Sequence, residues 1–363
     1  MRTKTFSSFA RSFTLAATGL AIGLAASMTP AAAEAKKEFN IAWTIYVGWM
    51  PWPYAADAGI VKKWADKYGL TINVTQINDY VESINQYTAG KFDGVTVTNM
   101  DALTIPAAGG VDTTALIVGD FSNGNDGIVS KTAKSVADLK GETVNLVELS
   151  VSHYLLARAL DTAGLSEKDL TVVNTSDADM VAAFKAPETT TVVTWNPLLA
   201  EVKAEPGATE VFNSSQIPGE IIDMLAVNTE TLKDNPDFGK ALAGAWYETM
   251  ALVIDQAEAG QKARAAMGEM SGTDMAGYDA QLAATKLFSS AADAVAFTKS
   301  EDLVTTMDHV RTFSFDHGLL GDGAPSPDVI GIGFPGGKVL GDEGNVKLRF
   351  DPSYMEMAAE GKL

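Results

Sequence analysis

Trp43, Trp49, Trp52 and Trp195 are four of the six tryptophans in the chain, and they stand at or just beyond the ends of apolar runs. The stretches at such ends also hold Tyr54, Asn99, Asp101, Asp120, Asp126, Ser152, His153, Asn196, Glu220 and Asp223. An aromatic face attracts a cation through its quadrupole, by about 0.5–2 kcal/mol per contact. A carboxylate accepts paired N–H donors from a planar group. Together these residue types suit a flat, nitrogen-rich solute such as guanidine or urea. Beyond Arg2 and Arg11 the chain has four arginines, Arg158, Arg264, Arg311 and Arg349, none of them in these stretches. Lys131 is the one lysine nearby. An oxyanion site could instead use helix N-terminal amides alone, so a sulfonate or nitrate stays open.

Several of these residues have a second reading. Trp43 can be core at the end of a strand. Trp49 and Trp52, between and beside Pro51 and Pro53, can form a lid or a docking surface. Trp195 can pack between lobes, and Asp101 can cap a helix. The run Asp120 to Asp126 can be a turn built for backbone geometry. Asp223, alone in an apolar strand, and the neighbouring Glu220 are harder to explain that way, because a buried charge must be paired or bind something.

Other patterns do not hold up. Gly331 to Gly336 spells G-x-G-x-x-G, but Pro335 interrupts it and no βαβ unit follows. The Asp120 loop lacks the glutamate that an EF-hand needs at its twelfth position, where Lys131 stands. His309 and His317 lie eight apart beside Asp308 and Asp316, and solvated helix faces explain them. With no nucleophile-elbow or H-E-x-x-H pattern, neither catalysis nor a metal or other cofactor is expected. Zero cysteines exclude disulfides and thiolate chemistry.

The elements that must position these residues alternate between strand and helix, the grammar of an α/β fold. Strands are expected at Phe39 to Trp43, Leu70 to Gln76, Phe92 to Thr98 and Thr114 to Gly119. Helices are expected from Tyr54 to Tyr68, after a cap at Asp79, and after a cap at Asn99 or Asp101. The grammar restarts with strands at Thr143 to Leu149, Thr171 to Asn174, Thr190 to Trp195 and Ile221 to Val227. After Asn228 the chain reads as helical to about His317. In open α/β sheets ligands sit beyond the carboxyl ends of strands, which is where the candidate residues fall.

Two such series imply two lobes with a cleft between them. The crossings are expected at about Gly127 to Lys131 and Ile222 to Asn228. Residues 36–127 then begin the first lobe, 128–224 form the second, and 225–363 return to the first. Residues 1–35 read as a cleaved secretory signal peptide: Arg2, Lys4 and Arg11, then an apolar run, then Ala31-Ala32-Ala33. That implies a periplasmic protein. The formal charge is −19, and losing those three cations leaves about −22. Such a surface repels nucleic acid and anionic lipid.

The chain resembles periplasmic binding proteins of the nitrate/sulfonate/taurine type, the group that includes thiamine-precursor binders. The likeness rests on Ala55 to Gly59 with Tyr68-Gly69-Leu70, on Tyr87 to Asp93, and on Asp138-Leu139-Lys140-Gly141. Thr98 to Asp101, Gly119 to Asp126 and Thr194 to Pro197 resemble more narrowly a subgroup encoded near urea carboxylase-type enzymes, with urea or guanidine as solute. The resemblance implies a type II periplasmic binding fold, two α/β lobes joined by two crossover strands, closing on the ligand. It implies a monomer that delivers to an ABC permease and its ATPase.

Overall fold

The computed structural model describes residues 36–321 and 323–363. The expected signal peptide lies outside the described residues. Among those described, no helix is long and apolar enough to cross a membrane.

Two sheets organise the chain. The first strands are β1 (Glu38–Trp43), β2 (Thr71–Gln76), β3 (Gly94–Thr98) and β4 (Thr113–Ser122). A second group follows: β5 (Asp126–Ser130), β6 (Thr143–Leu146), β7 (Thr171–Asn174), β8 (Thr191–Trp195) and β9 (Thr209–Asn213). The last are β10 (Ile222–Asn228), β11 (Thr285–Leu287), β12 (Gly331–Gly333), β13 (Val339–Leu340) and β14 (Val346–Phe350). The large sheet runs β13-β12-β14-β4-β10-β3-β1-β2, with β11 also paired to β4. The small sheet runs β7-β6-β8-β5-β9. This is the α/β fold of two sheet-centred lobes that the sequence pattern predicts.

The passages between sheets lie at 123–125 and 214–221, each slightly upstream of the stretch expected for it. The reason is pairing. Residues 127–130 are already in β5, hydrogen-bonded to β8 and β9. Residues 222–228 are already in β10, between β3 and β4. Ser214 ties the two passages together. Its hydroxyl meets Ser122 Oγ at 2.7 Å and accepts from Gly124 N at 2.7 Å.

Several local expectations need correction. The helix expected over Tyr54 to Tyr68 is two helices, Pro51–Asp57 and Ile60–Lys67, broken at Gly59, whose φ of 75° is left-handed. The cap of Asn99–Ala102 is Thr98, whose side chain accepts from Asp101 N, and not Asn99 or Asp101. Asp120 and Asp126 are not loop residues: one lies within β4 and the other opens β5. By contrast Asp79 does cap Tyr80–Thr88, accepting from Glu82 N.

The direction of β10 is what builds the site. It runs antiparallel to both neighbours, so its first residues lie beside the carboxyl ends of β3 and β4. Asp223 therefore sits between Thr98 on one side and Asp120 on the other. Paired residues on neighbouring strands are about 5 Å apart, and like charges placed directly opposite destabilise a sheet.

Candidate functional site

Where the lobes meet there is a small, tightly closed cavity. Tyr46, Trp49, Tyr80, Thr98 and Asp223 line it from the large lobe, Asp126, Val151 and Trp195 from the small lobe, and Ile221 from a passage. The rings form a continuous wall. Tyr46 and Trp49 are 5.1 Å apart, Trp49 and Tyr80 5.7 Å, Tyr80 and Trp195 5.5 Å between centroids. A second small cavity adjoins it, sharing Trp49 and Asp223 and bounded by Trp52, Gly119 and Trp246.

Direct bonds hold the lobes together around this wall. Trp195 Nε1 donates to Ile45 O at 3.4 Å, Tyr80 N to Asp177 Oδ1 at 3.2 Å, and Val151 N to Asp101 Oδ2 at 3.4 Å. Asn99 braces the second passage, donating to Glu220 O at 3.1 Å and accepting from Ile222 N at 3.0 Å.

Two buried aspartates, Asp126 and Asp223, line the cavity and two more, Asp101 and Asp120, stand behind its tyrosines; among the described residues none has a cationic partner. Asp101, Asp120, Asp126 and Asp223 are all at most 3% exposed. Tyr46 donates its hydroxyl to Asp120 Oδ1 at 3.1 Å, and Tyr80 donates to Asp101 Oδ2 at 2.7 Å. Among the described residues Asp101 Oδ1 has no hydrogen-bond partner. Burial is the main force on all these aspartates, because it disfavours the charged form. It pushes Asp126 up to about 7 and Asp101 up to about 6. Asp223 is raised well above its ordinary range by burial, then by the facing charges of Asp120 and Asp126. Asp120 is likewise raised by burial, against the hydrogen bonds from Asp223 and Tyr46. Burial and then the three aspartates raise Tyr46, so its phenol stays protonated and donates.

Among the described residues no Lys, Arg or His lines either cavity. Lys131 spends its ammonium on the carbonyls of Phe184, Ala186 and Thr189. Arg264 is buried against Val253 O, Asp255 O and Asp279. The cavity thus offers free acceptors and aromatic faces, with no fixed positive group.

Of the residues expected at the site, Trp49, Asp126, Trp195 and Asp223 line the main cavity. Asp120 stands against Asp223 and Tyr46, and Asp101 against Tyr80. Trp52 lines the second cavity, 5.2 Å from Trp246. The rest are elsewhere. Trp43 is buried at the end of β1, outside both cavities. Tyr54 packs on the apolar face around Ala55, Ile60, Val61 and Ala245. Asn99 is the brace just described, and Ser152 is buried on its helix away from both cavities. His153 turns toward Glu167. Asn196 bonds Asn125 and caps the next helix through Ala200 N. Glu220 pairs with Arg158 at 2.8 Å and with Tyr154 at 2.5 Å.

Sequence reasoning missed Tyr46, Tyr80 and Trp246. Tyr80 had a signal, since it follows the carboxyl end of β2, as a contact residue should. Tyr46 was within the loop after β1, where the tryptophans drew attention. Trp246 sits inside the helix Pro236–Ile254 and reaches the cavity only through tertiary packing.

Gly48 supports this geometry by having no side chain. A Cβ there would stand 2.3 Å from Asp120 Oδ2 and 2.7 Å from the Tyr46 ring. Gly48→Ala is expected to displace both and to lower stability by about 1–3 kcal/mol, the usual cost of overpacking. Ligand affinity falls with it. Thermal unfolding and calorimetry check the two effects, and unchanged affinity would show that Asp120 need not hold its place.

Fold and site together define a two-lobed α/β protein with an aromatic, acidic cavity where its lobes meet. The chain belongs to the NMT1/THI5-like family, whose model matches residues 55–259. Proteins of Brucella abortus and Brucella suis, designated only as binding proteins, are 27% identical over 197 residues, 53% of this chain and 58% of theirs. The match therefore spans just over half the length of these curated relatives. The alkanesulfonate-binding protein SsuA of Xanthomonas axonopodis pv. citri, solved with MOPS, is similar in fold with a TM-score of 0.66. It is 18% identical, over 80% of this chain and 96% of that one. The nitrate-binding protein NrtA of Synechocystis PCC 6803 is similar with a TM-score of 0.56 and 13% identity, over 90% of this chain and 99% of that one.

Proposed function

We propose that this chain is the periplasmic solute-binding component of an ABC importer, and that its solute is a small, flat, nitrogen-rich cation of the guanidine type. Family membership and the names of its structural neighbours support the importer role, with a permease and its ATPase as partners. They also support binding without turnover. One observation carries the choice of solute: Asp126 and Asp223 line an aromatic cavity that, among the described residues, no Lys, Arg or His lines, and Asp120 stands opposite Asp223 across β4 and β10. Guanidinium has only donors to offer. Its N–H groups match carboxylate oxygens, and its face lies against Trp49 or Trp195. Urea fits the same plane less fully, since its oxygen asks for a donor.

The names of SsuA and NrtA favour a second reading, a sulfonate or nitrate held by backbone amides. Isothermal calorimetry with guanidinium chloride, urea, taurine, nitrate and a thiamine-like pyrimidine separates the two. Guanidinium is expected to bind most tightly, with urea weaker. Binding of taurine or nitrate alone would end the cation reading.

A further inference from the structure

The chain has three histidines, and two of them meet away from the cavity. His153 is the third residue of the small-lobe helix Val151–Thr162. His317 follows the helix Glu301–Asp316, which packs against Asn99–Ala102 of the large lobe. Glu167, in the short turn of helix Glu167–Asp169 that leads into β7, lies between the two rings.

The hydrogen bonds assign the protons. Leu149 donates its backbone N–H to His153 Nδ1 at 3.0 Å, so that nitrogen carries a lone pair. The proton of His153 is therefore on Nε2, which faces Glu167 Oε1. The other oxygen of Glu167 is 2.5 Å from His317 Nε2. His317 Nδ1 is 2.9 Å from the carbonyl of Phe313. Both ring nitrogens of His317 thus face acceptors, and each needs a proton. His317 is an imidazolium, stacked on Phe313 at 3.9 Å.

We propose that His153, Glu167 and His317 form a proton-gated clasp between the lobes, with the His317 imidazolium of the large lobe bound to Glu167 of the small lobe and released when it loses its proton. Glu167 is 28% and His317 21% exposed at the side chain, so solvent protons reach the pair. The groove beside it is lined by Arg158 and Asp161 from one helix and by His309 and Asp316 from the other. Arg158 is committed to Glu220 and Asp161, while Asp316 adds to the negative field at His317. Lys168 and Asp169 flank Glu167, and Asp169 is paired with Lys140.

The direction of titration agrees. His317 is raised by its bond to Glu167, against burial, with help from the Phe313 carbonyl. Burial alone would raise Glu167, but its bonds to the two histidines outweigh this and hold it down at about 2. A raised histidine contributes fully below its ordinary 6.5, and that contribution is lost as pH rises through the raised value. The lowered carboxylate contributes above its ordinary 4.5 and fails only as pH falls toward 2. Between these limits the clasp is shut.

The three side chains could also be taken for a metal site, since their ligand atoms lie within 4.8 Å of one another. His153 opposes that reading. With Nδ1 accepting from Leu149, a metal on Nε2 would require an imidazolate.

The absence of native cysteine makes a direct test simple. Ala56→Cys on Pro51–Asp57 and Ala182→Cys on Asp177–Lys185 place one spin label on each lobe at exposed positions. Distances are measured on the full chain without ligand, so the result does not depend on the identity of the solute. A single short distance is expected at pH 6, with a longer population growing by pH 9. Glu167→Gln is expected to show the longer population at both pH values. Nitrogen NMR of the unmutated protein is expected to find both nitrogens of His317 protonated at pH 6, a readout that survives if the variant folds poorly. Distances that ignore pH, a pH response unchanged in Glu167→Gln, a neutral His317 at pH 6, or a clasp opened by EDTA and restored by zinc would each overturn the proposal.

Discussion

Replacing Asp223 with asparagine is expected to raise the melting temperature of the unliganded protein at alkaline pH, where both facing carboxyls are ionised, while nearly abolishing guanidinium binding. Asp223 and Asp120 are buried, directly opposed and without a positive partner. Above the range in which they share a proton, the empty site holds two like charges out of water. Each pH unit beyond a raised carboxyl pKa costs about 1.4 kcal/mol. Asparagine keeps the shape and removes one charge. For a domain of 150–250 residues each kcal/mol moves the melting temperature by about 2–4 °C, so a rise of a few degrees is expected in this longer chain. Binding moves the other way. Truncating one member of a buried, hydrogen-bonded charge pair costs about 2–5 kcal/mol, roughly a thirty- to several-thousand-fold loss of affinity. A residue of merely structural importance would lose stability and binding together. Differential scanning calorimetry and a guanidinium titration of the same variant distinguish the cases.

The second large effect is on pH. Guanidinium binds ionised carboxylates, and burial raises every one that faces the cavity, with Asp126 at about 7 and Asp101 at about 6. Affinity is therefore expected to be greatest near pH 8 and to fall as pH drops through 7. Each proton that must be displaced costs tenfold per unit below its pKa. One group near 7 and one near 6 imply a loss of about 10³ between pH 8 and 5, against no comparable change for a neutral or anionic solute. Stability of the empty protein runs in the opposite sense. A carboxyl raised by folding is stabilising below its ordinary range, and that contribution disappears as pH rises through the raised value. The ligand-induced rise in melting temperature should then grow with pH, and thermal scans with and without guanidinium from pH 5 to 9 check it. A binding constant independent of pH would show that these carboxyls do not contact the solute.

The sequence made much of this legible. Alternating strands and capped helices marked the α/β class, and Asp79 caps the helix expected of it. Asp223 stood out because an acid in an apolar strand has no inexpensive explanation. The limits were equally physical. Asp120 read as a turn residue because Gly119 precedes it and Asn-Gly-Asn follows, yet β4 continues through it since β10 and β11 both pair there. β5 and β9 are short and antiparallel, so neither shows the strand–helix alternation that marks β1 to β4 and β6 to β8, and the short strands β11 to β14 after Asn228 show none either. Trp246 could not be found, because its helix is separated by more than a hundred residues from most of the cavity and carries no local mark of it. His153, Asn196 and Glu220 lie in the right loops, but each is committed to a neighbour that only folding brings near.

A crystal structure grown with guanidinium chloride probes the assignment of the cavity most directly. The ion is expected between Trp49 and Trp195, with its nitrogens within hydrogen-bonding reach of the oxygens of Asp120, Asp126 and Asp223. An empty cavity at saturating guanidinium, or a nitrate or sulfonate seated there beside an arginine or lysine turned inward, would contradict it.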